Sequence, residues 1–305
     1  MEKKLTRQDI LLSFSFIFTL IVGVGAFFYG LQTGKEQTDA KYRTFMERLQ
    51  EEQNQGNVAY HQQQLVSFYH TVLLPFRNFE QTWFEHLDTM ESRNGTTDAS
   101  ALLKQIVRLA KEKYDEIEPS TIPEVSPLLI DAHRNYLKSL KLFSEAATRL
   151  QRRSGNGSLI AEQIRQDAYV LEAYGFALRA QREYYEAILE WNKASDPNVT
   201  GLEWLDRDQV TLDQWRQWNL NTKNVYICRI LLAEGTLYGF YPQDISSRID
   251  EMDATGSAGK LKLATIGQAS QTLLSAGGVR AGDYLLLKEK LYKDETLPQL
   301  PFFFE

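Results

Sequence analysis

The residues best able to hold a metal ion or attack a substrate are few and badly spaced for either task. The four histidines are His61, His70, His86 and His133, and none stands three or four residues from another. A helical zinc site needs ligands on successive turns of one face, so that signature is absent. The positions three before them hold Val58, Ser67, Trp83 and Ile130, which removes the Glu-x-x-His spacing of carboxylate-bridged di-iron bundles. The lone cysteine, Cys228, excludes an internal disulfide framework and any multi-cysteine metal site. It lies in the apolar run Val225-Tyr226-Ile227-Cys228-Arg229-Ile230-Leu231-Leu232 and is expected to be a small buried hydrophobe rather than a reactive thiol.

Other templates fail in the same way. Asp206-Arg207-Asp208-Gln209-Val210-Thr211 resembles the start of a calcium loop, but Val210 replaces a ligand, Thr211 replaces the turn glycine, and Gln217 stands where a bidentate glutamate belongs. Gly256-Ser257-Ala258-Gly259-Lys260-Leu261 is too short to cradle a phosphate and lacks the hydroxyl that would hold magnesium. Gly-x-Ser-x-Gly does not occur. Carboxylate pairs such as Glu183 with Glu186 and Asp250 with Asp253 are expected to lie on solvated helix faces. No catalytic residue, cofactor site or metal site is therefore expected, and the chain is expected not to be an enzyme.

One group does invite attention. Tyr169, Tyr174, Phe176, Tyr184, Tyr185 and Trp191 surround the helical stretch 159–192 on more than one side. A helix apolar over so wide an arc is either central in its bundle or keeps a side for a partner or ligand. Core packing is the simpler account of most of them, and a partner or ligand surface is the functional one. The formal charge of −6, of which residues 32–305 carry −7, repels phosphate backbones, so no nucleic-acid partner is expected. Residues 255–293 have a local basic excess, Lys260, Lys262, Arg280, Lys288, Lys290 and Lys293 against Asp283 and Glu289, read as a solvated face. Asn94-Gly95-Thr96, Asn156-Gly157-Ser158 and Asn198-Val199-Thr200 fit the glycosylation pattern but coincide with loops, where these residues belong anyway.

The elements that would position these residues are helices. Leu65, Tyr69, Val72, Phe76, Phe79, Trp83, Leu87 and Met90 repeat at three and four residues, with Pro75 expected to kink that helix rather than stop it. Leu103 to Ile117 follows with the same rhythm. Ser126 before Pro127 predicts a capped start for a helix whose apolar stripe runs from Leu129 to Leu150. The chain from Leu159 to about Asn192 has no proline and is expected to form a single helix. Beyond Asp196-Pro197, Thr211 with Gln214 predicts a capping box. Later helices are expected over 223–237, 242–252, 266–275 and 281–292. Lys260-Leu261-Lys262-Leu263 alternates like a short strand, and the close from Leu297 to Phe304 is expected to be non-helical and tucked into a groove of its own domain.

Ahead of all this, Ile10 to Leu31 is a run of 22 residues without a formal charge. As a helix it would reach roughly 33 Å, enough for the hydrocarbon layer. The basic start and Val24-Gly25-Ala26 also suit a cleaved signal peptide, but the long apolar run favours a retained signal anchor. Lys3, Lys4 and Arg7 favour an internal N terminus. The expected chain is all-α: a cytoplasmic tail at 1–9, a single transmembrane helix at 10–31, and a juxtamembrane stalk at 32–57, begun by the coiled-coil-like stripe Tyr42, Met46 and Leu49. An up-and-down, four-helix-like bundle at 58–195 and a smaller, mainly helical C-terminal domain at 196–305 complete it. The expected function is a single-pass, non-enzymatic interaction or scaffold protein of the cell envelope. Its expected partners are the membrane and another protein, and its C-terminal part is extracytoplasmic. The alternative is a ligand-sensing helical ectodomain that signals through a separate subunit, because only nine residues precede the span.

Overall fold

The computed structural model describes residues 59–92, 98–153 and 157–304. The expected membrane helix at 10–31 and the stalk at 32–57 lie outside the described residues. Among the described residues the chain is all-helical, with one isolated bridge between Thr211 and Thr265 and no strand. None of these helices is long and apolar enough to cross a membrane.

The first half is a helical bundle. α1 (Gln62–Phe68) passes through a π turn, Tyr69–Leu73, into α2 (Leu74–Ser92), followed by α3 (Ala99–Ile117) and α4 (Pro127–Leu150). The helix runs through Pro75 as expected, and the adjustment falls in the turn before it. Pro75 has no N–H for the Thr71 carbonyl; the Leu74 N–H reaches back to Tyr69, and the Ser120 hydroxyl donates to Thr71 O at 3.3 Å. A carbonyl freed by the proline is thus satisfied from the connection after α3.

The long proline-free stretch is two helices, α5 (Gly157–Arg165) and α6 (Ala168–Ser195), not one. Asp167 makes the break: its Oδ1 accepts from the backbone N–H of Tyr169 at 3.0 Å and Val170 at 3.3 Å, and its other oxygen pairs with Arg149. A carboxylate that captures the first free N–H groups starts a new helix as firmly as a proline ends an old one. Ser126, in contrast, precedes α4 without capping it. Its hydroxyl donates to Gln64 Oε1 at 2.7 Å and so ties α4 to α1.

Neighbouring helices in this half run antiparallel. Arg149 meets Asp167, Ser139 Oγ donates to Ala173 O, and Asn135 donates to Glu183, so α6 descends as α4 rises. Trp83 bonds Tyr174 and Tyr184 bonds the Leu65 carbonyl, which fixes α6 in the same sense against α1 and α2.

A 3-10 turn at Leu202–Trp204 and the short α7 (Leu212–Trp215) lead into α8 (Leu220–Glu234). α7 opens with the expected capping box, Thr211 with Gln214. Every residue of α8 from Leu220 to Cys228 is buried, which makes it the central helix of this part. α6 packs on α4 along one side and on α8 along another. α9 (Pro242–Ala254) then gathers α8, α10 (Ser257–Lys260), α11 (Ile266–Ser275) and α12 (Asp283–Leu291) around itself, and α13 (Pro301–Phe304) closes against α12. Apolar side chains from Leu65 to Phe303 form one continuous core.

Two expectations here are corrected. Lys260-Leu261-Lys262-Leu263 is not a strand: Ser257–Lys260 is helical, Lys262 takes a positive φ of 54°, and Leu263 N–H returns to Ala258 O at 3.0 Å. Four alternating residues did not outweigh a helical turn closed by its own backbone. The chain end is not wholly non-helical either, since Pro301 occupies the first position of α13, where its missing N–H costs nothing. Phe302 and Phe303 of that turn are buried, as a tail folded into its own domain requires.

Candidate functional site

α6 carries all six aromatic residues singled out above, and the structure divides them. Tyr174, Tyr184 and Tyr185 are core residues. Each has its hydroxyl satisfied: Tyr174 accepts from Trp83 Nε1 at 3.0 Å, Tyr184 donates to Leu65 O at 2.9 Å, and Tyr185 donates to Gln243 Oε1 at 2.6 Å. Trp191 is half-buried against the core. Tyr169 and Phe176 belong instead to the outer seam between α4 and α6. Tyr169 is 40% exposed, with the Arg149 guanidinium 4.3 Å from its ring centre. Phe176 is half-buried between Lys138 at 5.1 Å and Arg179 at 4.6 Å.

The seam has a basic side that sequence reasoning did not single out. Outward positions of α4 and the turn after it hold Arg134, Lys138, Lys141, Arg149, Arg152 and Arg153, all exposed. Over 127–153 the only acids are Asp131 and Glu145, so this stretch is +4 within a chain of −6. The facing stripe of α6 is Tyr169, Glu172, Phe176, Arg179 and Glu183, at spacings of three and four. Glu183 is held by Asn135 Nδ2 at 2.8 and 3.0 Å, and burial raises its carboxyl. The helical period of the basic residues, read for charge as α6 was read for aromatics, would have exposed this ridge.

Inside, α2 places a charged pair beside a cavity with room for about one water molecule. Arg77 Nη1 lies 2.5 Å from Glu80 Oε2, and the guanidinium stacks on Tyr241 at 4.2 Å. Tyr136, Gln181 and Tyr185 complete the polar lining. Burial holds the Glu80 carboxyl well above the usual carboxylate range, against the pull of Arg77. Cys228, as expected, is buried, its thiol pushed up by burial, with Gln181 Nε2 at 3.9 Å from Sγ.

A second polar centre ties α7, α8, α9 and the segment after α12. Asp250 takes Lys223 Nζ at 2.8 and 3.0 Å, Trp215 Nε1 at 2.6 Å and the Tyr292 hydroxyl, and the ammonium sits 5.4 Å from the Trp215 ring. The expected solvated pair is therefore split: Asp250 is enclosed, and Asp253 receives a fork of bonds from Arg216, each at 2.7 Å. On the same helix, burial raises Asp244 to about 6, against backbone N–H bonds from Tyr284 and Tyr241.

A pH dependence follows from these carboxyls. The folded state binds protons on Glu80 and Asp244 that an unfolded chain releases near pH 4. Their contribution is fully present below that pH and is lost as pH rises through about 6 for Asp244 and about 7 for Glu80, on the order of 1–3 kcal/mol for Asp244. Urea midpoints measured from pH 5 to pH 8 are expected to fall with rising pH. Midpoints that stay level or climb across that range would rule out the burial cost assigned to these groups.

Among the described residues, no group of three or more His, Cys, Asp or Glu side chains is placed to hold a metal ion. What the fold and the seam define is a helical protein with a basic, aromatic-studded outer face. Neither a protein-family model, nor a curated protein, nor a solved structure matches the chain.

Proposed function

We propose that this chain is a single-pass, membrane-anchored, non-enzymatic interaction or scaffold protein of the cell envelope. The carrying observation is the uncharged run from Ile10 to Leu31, long enough as a helix for the hydrocarbon layer. In this reading residues 1–9 stay in the cytoplasm and 32–57 form a stalk. The four-helix, up-and-down bundle at 58–195 and the smaller helical part at 196–305 work outside the cytoplasm. The cavity beside Glu80 holds no more than about one water, far short of the several hundred Å3 of a small-molecule site, so that buried polar pair is read as structural and the surface as the place of interaction. The test is fractionation of cells producing the full chain. It is expected in the membrane pellet after high-salt and alkaline washes, and its C-terminal part is expected to be cut by protease added outside the cytoplasmic membrane. Recovery in the soluble fraction with residues 1–31 still attached would falsify the anchor.

A further inference from the structure

The seam between α4 and α6 sets a row of basic side chains beside two aromatic rings. Arg134, Lys138, Lys141 and Arg149 follow one another along α4 at spacings of four, three and eight, the last interrupted by Glu145, and Arg152 stands in the turn just after it, so the charge forms a ridge. Over its 24 residues α4 is roughly 36 Å long. Beside the ridge, Tyr169 and Phe176 lie one above the other, two turns apart, and both are in contact with cations. Asp131, Glu145, Asp167, Glu172 and Glu183 also lie along the seam, Asp131 paired with Arg134 and Asp167 with Arg149, against the seven cations Arg134, Lys138, Lys141, Arg149, Arg152, Arg153 and Arg179.

From this juxtaposition of a basic ridge with two aromatic rings at helical spacing, we infer that the α4/α6 seam binds an acidic amphipathic helix of a partner protein. Glutamates of that helix would meet Lys138, Lys141 and Arg152, and its apolar stripe would lie over Phe176 and Tyr169. Charge complementarity selects an anionic partner: residues 127–153 are +4, and with Asp167, Glu172, Arg179 and Glu183 of the facing side the seam remains +2 on a chain of −6. A lipid surface fits less well. Apolar residues that enter a bilayer project beyond their neighbours, whereas Phe176 is half-buried between two cations.

This inference rests on the interaction-protein reading above and supplies its surface. The test uses the full chain in neutral detergent and a labelled synthetic helix with glutamates flanking a leucine and phenylalanine stripe. Fluorescence anisotropy is expected to show saturable binding that weakens with salt. Lys138→Glu with Lys141→Glu is expected to weaken it by about tenfold or more. Phe176→Ala should weaken it with less change in salt dependence. Lys104→Glu with Lys111→Glu, on the exposed face of α3, should leave it unchanged. Absent binding, or binding indifferent to the α4 reversals, overturns the proposal. So does a seam that takes up phosphatidylglycerol vesicles through Lys138 and Lys141 and ignores the peptide. Failure here leaves the anchor standing, since fractionation reports on residues 10–31. Peptide binding by a chain that fractionates as soluble would keep the surface and remove the anchor.

Discussion

Asp250→Ala is expected to destabilise the protein by about 3–5 kcal/mol, a large share of the roughly 5–15 kcal/mol that holds a typical domain together. The loss is not one bond. Removing the carboxylate leaves the Lys223 ammonium, whose side chain is 9% exposed, without its counter-charge. It also leaves the Trp215 N–H and the Tyr292 hydroxyl without their acceptor. A buried charge stripped of its partner costs far more than the intact pair contributes, because solvation is not restored. The same physics predicts the control. Lys223→Met combined with Asp250→Leu removes both charges and should regain most of the stability lost in the single variant. Urea unfolding of the wild type and both variants decides the matter. A single-variant loss under about 1 kcal/mol would show that water reaches the pair and that it is not the enclosed clasp described above.

The three adjacent phenylalanines near the chain end should behave unequally. Phe303 is fully buried, packed on Tyr284 at 5.8 Å and Phe302 at 4.6 Å, and truncation to alanine is expected to cost about 3–5 kcal/mol. Phe302 contacts Tyr69, Tyr184, Tyr185 and Tyr241, and its truncation falls in the same range. Phe304 is 47% exposed beside Lys288, and Phe304→Ala is expected within about 0.5 kcal/mol of the wild type. Thermal melts of the three variants give the comparison. Three small, equal effects would mean that the tail does not occupy its groove in solution.

The bundle was legible because its signal is local. The stripe from Leu65 to Met90 and that from Leu129 to Leu150 are helical periods that nothing in the chain contradicts, and the burial of Phe79, Trp83, Leu140 and Phe143 follows them. The Asp167 break was less visible. The expectation of one helix weighed the absence of proline and passed over a carboxylate standing just before Ala168-Tyr169-Val170, the place of a cap.

The polar centres were not legible, for a different reason. Lys223 and Asp250 are 27 residues apart, and no periodicity links them; their pairing exists only after α8 and α9 pack. Asp250 and Asp253 look alike in sequence, yet one is enclosed by four elements and the other reaches the partly exposed Arg216. The aromatic set on α6 was visible as a group. Its division into Tyr174, Tyr184 and Tyr185 inside and Tyr169 and Phe176 outside needed the position of α4, which a single helix does not carry.

The clasp between Gln299 and Gln62, and that between Phe302 and Tyr69, join segments 237 and more than 230 residues apart in the chain. At about 5–20 residues per second of synthesis, the first helix waits on the order of 10–50 s for the segment that covers it. Through that interval the nascent protein displays the face of Tyr69 that Phe302 will cover, a surface that invites holdase chaperones and proteases. Maturation of the whole domain is thereby timed by its final turn.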